Sequence, residues 1–367
     1  MATTAYGVNH PLAVKLWSKK LMREALKETY VSRFMGTTKD SLIYVKDDMK
    51  KSAGDRIRVG LRMQLSGDGV DGDNTLEGNE EELTTYNDDL FIDQLRHAVR
   101  SEGEMSEQRV PFSVREEGLD GLKDWWANRM DTAFFNQICG NTSASAKYTG
   151  MQAALAPTSA AGNTRIIYGT GSTSTTASYT ATTSASASAK GLIFTPGCID
   201  RAVNVAKLAT PLIRPLRING QYKYVMFIHP NQTRQLRENN SANTVTWYDI
   251  MRARVQGGEM DTNPIFNGAL GEYNGVILHE STRIPGWDDA TANGNSTRKA
   301  VLCGAQAACF GTGRRDSDNQ MKWTEELFDY ENQLGVAAAM IWGLKKSQFN
   351  SIDFGTIVVP TVSPDPV

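Results

Sequence analysis

The stretch from Val114 to Ile138 most narrows what this chain can become. Leu119, Leu122, Trp126, Met130, Phe134 and Ile138 recur at three- and four-residue steps, which sets them on one face of a helix. Asp120, Lys123, Asp124, Asn128, Arg129 and Asp131 fall largely on the remaining surface. Ser113 and Glu116 form an S-x-x-E capping box at the entry, and Gly140-Asn141 supplies residues that adopt the left-handed conformation past a helix end. At 1.5 Å per residue the helix would reach roughly 38 Å, longer than most helices in globular domains. Its apolar face therefore needs a sheet or a neighbouring chain to cover it.

A length of 367 residues is enough for about two domains with a sizeable core. The net charge of −2 argues against a dedicated nucleic-acid binder, which would carry a strong basic excess. Lys15, Lys19, Lys20 and Arg23 interrupt the apolar runs near the N-terminus, so neither a signal peptide nor a membrane span is expected, and a cytoplasmic origin is. Cys139, Cys198, Cys303 and Cys309 lack C-x-x-C or zinc-finger spacing and read as buried free thiols.

Charge is polarised in the first third of the chain. Residues 1–62 carry 13 Lys/Arg against 6 Asp/Glu, a net of +7, and residues 63–120 carry 4 against 16, a net of −12. Within this stretch Ile57, Val59, Leu61, Met63 and Leu65 alternate with Arg56, Arg58, Arg62 and Gln64, the pattern of a half-exposed strand. A turn-rich tip at 66–74 and an acidic return from Glu77 to Asp93 complete a long projecting hairpin. Its basic outgoing strand and acidic return can pair internally, or each can meet a neighbouring subunit, where charge sets orientation and register more than affinity.

The rest of the chain divides by composition. Residues 1–10 are unstructured in this reading, and Pro11 starts a helix on an N-terminal arm that Met35-Gly36-Thr37-Thr38 ends. Ser41–Val45 is a short strand. Residues 141–190 turn to Ser, Thr, Ala and Gly and cannot build a core, so they read as a surface loop at a domain boundary. Mixed α/β patterning follows: a helix opened by Thr195-Pro196, a strand from Tyr222 to Ile228, a short helix containing Leu236, and a helix from Trp247 to Arg254. Strands are expected at Val276–His279, Arg298–Cys303, Gly335–Leu344 and Ile352–Val359, before a Pro-rich tail.

Signatures of chemistry are weak. Gly67-x-Gly69-x-x-Gly72 matches a dinucleotide fingerprint in letters, but Asp68, Asp71 and Asp73 would repel a pyrophosphate and no helix is expected after it. Asp71, Asp73 and Glu77 lack the spacing of a calcium loop. His10, His97, His229 and His279 are scattered, and His229-Pro230 reads as a packed or capping residue at a strand end. Glu325-Glu326 and Asp88-Asp89 are adjacent carboxylates that point apart on an element and make no dyad. Lys345-Lys346 and Arg314-Arg315 read as solvated basic pairs. No catalytic, cofactor or metal site is expected. An arm, a projecting hairpin and a long helix are features completed by neighbours, so assembly is the expected function.

Several stretches also carry a resemblance. They are Leu76–Glu81, Ile92–Val99, Met105–Arg109, the Asp124-Trp125…Arg129…Asp131 positions and the Cys139-Gly140-Asn141 end. Downstream they include Val225–Pro230, Asn263–Gly271 and Lys345–Asn350. In that order the chain resembles the major capsid proteins of tailed bacteriophages, in particular the family typified by the coliphage N-four capsid protein. The resemblance implies the α+β Hong Kong ninety-seven (Johnson) capsid fold. It assigns residues 1–40 to an arm, 41–92 to an extended loop hairpin, 93–191 to a peripheral domain with the spine helix, 192–315 to an axial domain, and 316–367 to C-terminal strands returning to the peripheral domain. It implies hexamers and pentamers in an icosahedral shell around double-stranded DNA, with portal, scaffolding and decoration proteins as partners, no membrane, assembly in the host cytoplasm and residence in the virion. Arg56, Arg58, Arg62, Glu80, Glu81 and Glu82 are the expected intersubunit contacts. An enzyme whose site forms only in three dimensions, and a phage tail or surface-binding protein, are the alternative classes.

Overall fold

Period-two alternation along a few central strands sorts this chain into layers, as a computed structural model shows. It describes residues 25, 29–46, 54–62, 67, 69–83, 85–109, 113–159, 164–168, 193–218, 220–238, 269–286, 297–313 and 321–363. The helices expected after Pro11 and from Trp247, residues 169–190, Arg314-Arg315 and the Pro-rich tail lie outside the described residues.

The arm ends in β1 (Met35–Gly36) and β2 (Ile43–Lys46). Then come β3 (Arg56–Arg62), β4 (Thr85–Phe91) and β5 (Asp93–Arg100), followed by the short helix α1 (Glu104–Gln108) and the long helix α2 (Val114–Ile138). Helix α3 (Pro196–Leu208) leads to β6 (Leu216–Ile218), β7 (Gln221–Ile228) and helix α4 (Pro230–Glu238). The remaining strands are β8 (Ala269–Tyr273), β9 (Val276–Glu280), β10 (Thr297–Cys303), β11 (Ala308–Thr312), β12 (Met321–Phe328) and β13 (Gln333–Lys346). Last are the short β14 (Gln348–Phe349) and β15 (Ile352–Asp353) and the final β16 (Thr356–Val362).

Strand β13 is the axis of the first sheet. Strand β5 runs antiparallel along one edge, from Gly335 opposite Arg100 to Trp342 opposite Asp93. Strands β12 and β11 follow one another along the other edge, and β2 and β1 extend the sheet beyond β11 in parallel pairing. Alternate residues of β13 face opposite ways. Val336, Ala338, Met340, Trp342 and Leu344 enter the core under α2, beside Leu119, Leu122, Trp126, Met130 and Phe134. The opposite set includes Ile341, Gly343 and Lys345, which face the β3–β4 hairpin.

The second sheet has the order β16-β10-β7-β9-β8, and its central strands bury residues on both faces. Val225, Phe227, Val301, Cys303 and Val358 join the α2 core, whereas Tyr224, Met226, Ile228, Ala300, Leu302, Ile357 and Val359 pack with α3. One central layer thus separates two cores, which explains why these strands are nearly continuous runs of apolar residues. Residues 356–362, which the resemblance includes among C-terminal strands returning to the peripheral domain, pair along β10 of the second sheet.

The long helix has the expected limits, with one correction at its start. Ser113 occupies the N-cap with extended backbone but makes no side-chain capping bond; its carbonyl accepts from Glu116 and Glu117 N–H. Capping by the S-x-x-E side chains is therefore absent here, and Glu116 and Glu117 act in the first turn through the helix dipole. The exit follows the pattern foreseen: Gly140 has φ +65°, its N–H donates to Gln137 O, and Asn141 N–H donates to Asn136 O.

Candidate assembly interface

The hairpin expected from alternation forms with full register, Arg56 opposite Phe91 through Arg62 opposite Thr85. Its root is fixed. Ile57, Leu90 and Ile92 form a small core with Cys309, and Ile341 packs against it. Gly343 makes the approach possible, because a Cβ there would overlap the Phe91 carbonyl oxygen. Polar contacts reinforce the seat. Lys345 Nζ pairs with Asp88, whose other carboxylate oxygen accepts Gln348 N–H at 3.1 Å, and Lys46 Nζ donates to Arg58 O at 3.0 Å.

The tip differs in every respect. Residues 71–83 are all exposed, including Leu76 at 60 % and Leu83 at 53 %. Its hydrogen bonds among described residues are local: Asn74 to Asp71, Asn79 to Thr75 and Leu76, Gly78 N–H to Glu80, and Gly67 N–H to Glu81. No helix follows the glycine-rich letters, as expected.

The candidate contact residues separate accordingly. Arg58 Nε donates to Asp89 Oδ1 at 2.8 Å, and Arg56 Nη1 lies 3.3 Å from Asp89 Oδ2, so the basic strand already meets the acidic return within one hairpin. The hydrogen bond from Arg58 holds the Asp89 carboxyl below the usual carboxylate range. Arg62 is the last residue of β3. Glu80, Glu81 and Glu82 sit together on the exposed tip.

Two buried ionic sites escaped the sequence reading. Asp131 was placed off the apolar face, yet it is 1 % exposed and fastens the arm to α2. It accepts Tyr30 N–H at 3.1 Å, Val31 N–H at 3.0 Å and Arg283 Nη1 at 2.7 Å. Burial raises its carboxyl, opposed by the Val31 and Tyr30 donors and the Arg283 charge. An acid flanked by Met130, Ala133 and Phe134 was the available signal. Lys345 and Lys346 are likewise not a solvated pair. Alternation turns Lys345 to Asp88 and Lys346 inward, where it is fully buried with Nζ 2.9 Å from Asp353 Oδ1. Burial lowers the Lys346 ammonium, and Asp353 opposes that shift. Arg165 closes the site by donating to Asp353 O and Pro211 O.

Chemistry is scarce. Among the described residues no group of three or more His, Cys, Asp or Glu is arranged to hold a metal. A cavity of about 290 Å³ is lined by Ser41 and His279, but Ser41 Oγ is engaged with Thr38 Oγ1 at 2.8 Å. Burial, then the Arg33 charge, pushes the His279 imidazole down to about 4, so it is neutral and packed against Phe34 and Phe227. Burial pushes the Cys139 thiol up to about 12, and all four cysteines are buried and free, as expected. His229 is buried at the strand end, where Nδ1 accepts Asn231 N–H at 3.2 Å, the capping role foreseen. Glu325 is buried on Arg115 and Trp323 while Glu326 faces solvent, so these carboxylates do point apart.

Comparison with known proteins gives concordant results. Residues 4–365 match the family described as phage capsid protein. The major capsid protein of Pseudomonas phage KPP25 is 30 % identical over 372 residues, covering 94 % of this chain and 93 % of that one. The capsid of Ralstonia phage GP4 superposes with a TM-score of 0.74 at 30 % identity, with each chain fully covered. The capsid of cyanophage Pam1 superposes at 0.68 with 20 % identity, covering all of this chain and 95 % of the other, which speaks to the fold.

Proposed function

The chain belongs to the phage capsid protein family and has the Hong Kong ninety-seven fold, and from that premise we propose that it is the major capsid protein building an icosahedral head from hexamers and pentamers. Its role is structural. The observation that carries this reading is the hairpin itself: a root welded to the body by Gly343 and Lys345, and a tip exposed from residue 71 to residue 83. A monomer gains nothing from ordering such a segment, whereas a neighbour that covers it recovers the cost.

In the subunit so read, residues 1–40 are the arm, 41–92 the extended loop, 93–191 the peripheral domain and 192–315 the axial domain, save that β11 joins β12 and β13 in the peripheral sheet, while β16 of the last segment joins the axial one. Arg56, Arg58, Arg62 and Glu80–Glu82 contact the next subunit. Portal, scaffolding and decoration proteins are further partners, assembly is in the host cytoplasm, and packaged double-stranded DNA meets the inner surface without sequence preference, in keeping with the near-neutral charge. The chain is not an enzyme in this reading. The His279 environment favours it over the catalytic alternative, because burial lowers the imidazole to about 4 and Phe34 and Phe227 pack against the ring.

Negative-stain electron microscopy of the protein, expressed alone and with its neighbouring genes, tests the proposal. Closed shells or ring-shaped capsomers are the expected outcome. A uniform monomer or dimer under both conditions would overturn it.

A further inference from the structure

Residues 201–237 carry seven Lys or Arg and no Asp or Glu, in a chain whose net charge is −2. Four of the seven have local roles. Arg201 donates to Tyr168 O, Lys223 pairs with Glu272, Arg234 pairs with Glu238, and Arg237 sits in the last turn of α4, where the helix dipole favours a cation. Lys207 at the end of α3, Arg214 and Arg217 are exposed, and none of the three has a side-chain hydrogen bond or ion pair with a described residue. The backbone that presents them is fixed. Ile213 is buried, its N–H donates to Ala206 O at 3.2 Å, and its carbonyl accepts the Tyr224 hydroxyl at 3.0 Å. Arg165 Nη2 donates to Pro211 O at 2.9 Å and Ala305 N–H to Arg214 O at 2.8 Å. A Cβ at Gly304 would overlap that Arg214 oxygen, so the close approach requires the glycine.

In β6, Leu216 turns into the core and Arg217 outward, opposite Tyr222 of β7, which is 71 % exposed. Guanidinium, ammonium and phenol all donate to phosphate oxygens, and cations held on a rigid frame without an acid between them suit a polyanion better than a single carboxylate. We propose that Lys207, Arg214, Arg217 and Tyr222 form the surface on which the subunit meets the phosphate backbone of double-stranded DNA. This rests on the head-subunit reading and deepens it by naming the residues that touch packaged DNA. A protein partner would instead cover Leu208 and Leu212, which are 76 % and 58 % exposed beside the cations. Duplex DNA is favoured because the three cations are unpaired and a filled head holds DNA against its subunits. So few phosphate contacts per subunit keep binding weak, and contacts to phosphate carry no sequence information.

Ultraviolet cross-linking of DNA-filled heads, read by peptide mass spectrometry, tests the surface. Nucleotide adducts are expected on peptides that carry Lys207, Arg214, Arg217 or Tyr222. Adducts confined to other segments would overturn the assignment. A second measurement titrates the soluble subunit with a short duplex of arbitrary sequence across a salt series. Lys207→Gln, Arg214→Gln and Arg217→Gln should each lower the slope of log affinity against log salt by about 0.9, without moving subunit Tm. The triple variant should lower it by about three times as much, and an unchanged slope there sinks the proposal. The L208S/L212S variant should bind the duplex as the parent does. Loss of binding in that variant, with the slope intact in the cation variants, would assign the segment to a protein partner and overturn the DNA surface. Absence of shells under every expression condition would remove the head-subunit reading and the packaged-DNA role with it, whereas normal shells with an unchanged slope would overturn this surface alone.

Discussion

The two ends of one hairpin follow opposite rules. At the root, Ile57 and Leu90 are 3 % and 2 % exposed, backbone passes over backbone at Gly343, and Asp88 is satisfied by Lys345 and Gln348. At the tip every residue from 71 to 83 is exposed, and Glu80 and Glu81 accept the Gly78 and Gly67 N–H groups. The root is stabilised by its own subunit, whereas the tip is left for the neighbour proposed above to cover.

The most direct way to break that comparison is at Gly343. Gly343→Val forces a side chain against the Phe91 carbonyl and should cost about 3 kcal/mol of subunit stability, read from denaturant unfolding. A native-like midpoint would show the root is not tightly seated. Asp88→Ala removes the acceptor of Lys345 and Gln348 and should cost about 2 kcal/mol, with faster amide exchange confined to β3 and β4. Uniform exchange across the subunit would contradict a local seat.

Acid sharpens the comparison further along the hairpin. The Asp89 carboxyl is lowered by Arg58, so its contribution is present above the unfolded carboxylate pKa of about 4 and is lost as pH falls through the lower folded value. Exchange of β3 amides should therefore accelerate in that acid window, and Asp89→Asn should flatten the profile. The smallest effect on subunit stability belongs to the tip. E80Q/E81Q/E82Q should move unfolding by less than ~0.5 kcal/mol. A larger shift would mean the tip packs on its own subunit after all.

Elements whose partners lie on the same face were legible from spacing. The α2 limits, its Gly140 exit, the β3 alternation and strands β7, β10 and β13 all appear near where periodicity placed them. Strands β5 and β12 were not anticipated, because β5 is exposed on nearly every residue and β12 alternates polar residues such as Lys322, Thr324 and Glu326 outward. Each exists because β13 offers it an edge. The same holds for Asp131, Lys346 and Asp353, whose charges are countered by residues distant in sequence or held across a turn. A buried ion is tolerated only when its partner is in place, and spacing carries no record of that partner.

Local sequence determined the long helix, the hairpin and the separation of basic from acidic segments, because helix period, strand alternation and turn residues act over a few neighbours. Tertiary structure alone decided which core each face of the central sheet would enter, that Arg56 and Arg58 would be held by Asp89 within the hairpin, and that Arg129 would lie between two rings without an acid. Those outcomes depend on which distant residues arrive at the same place, and that is settled by packing.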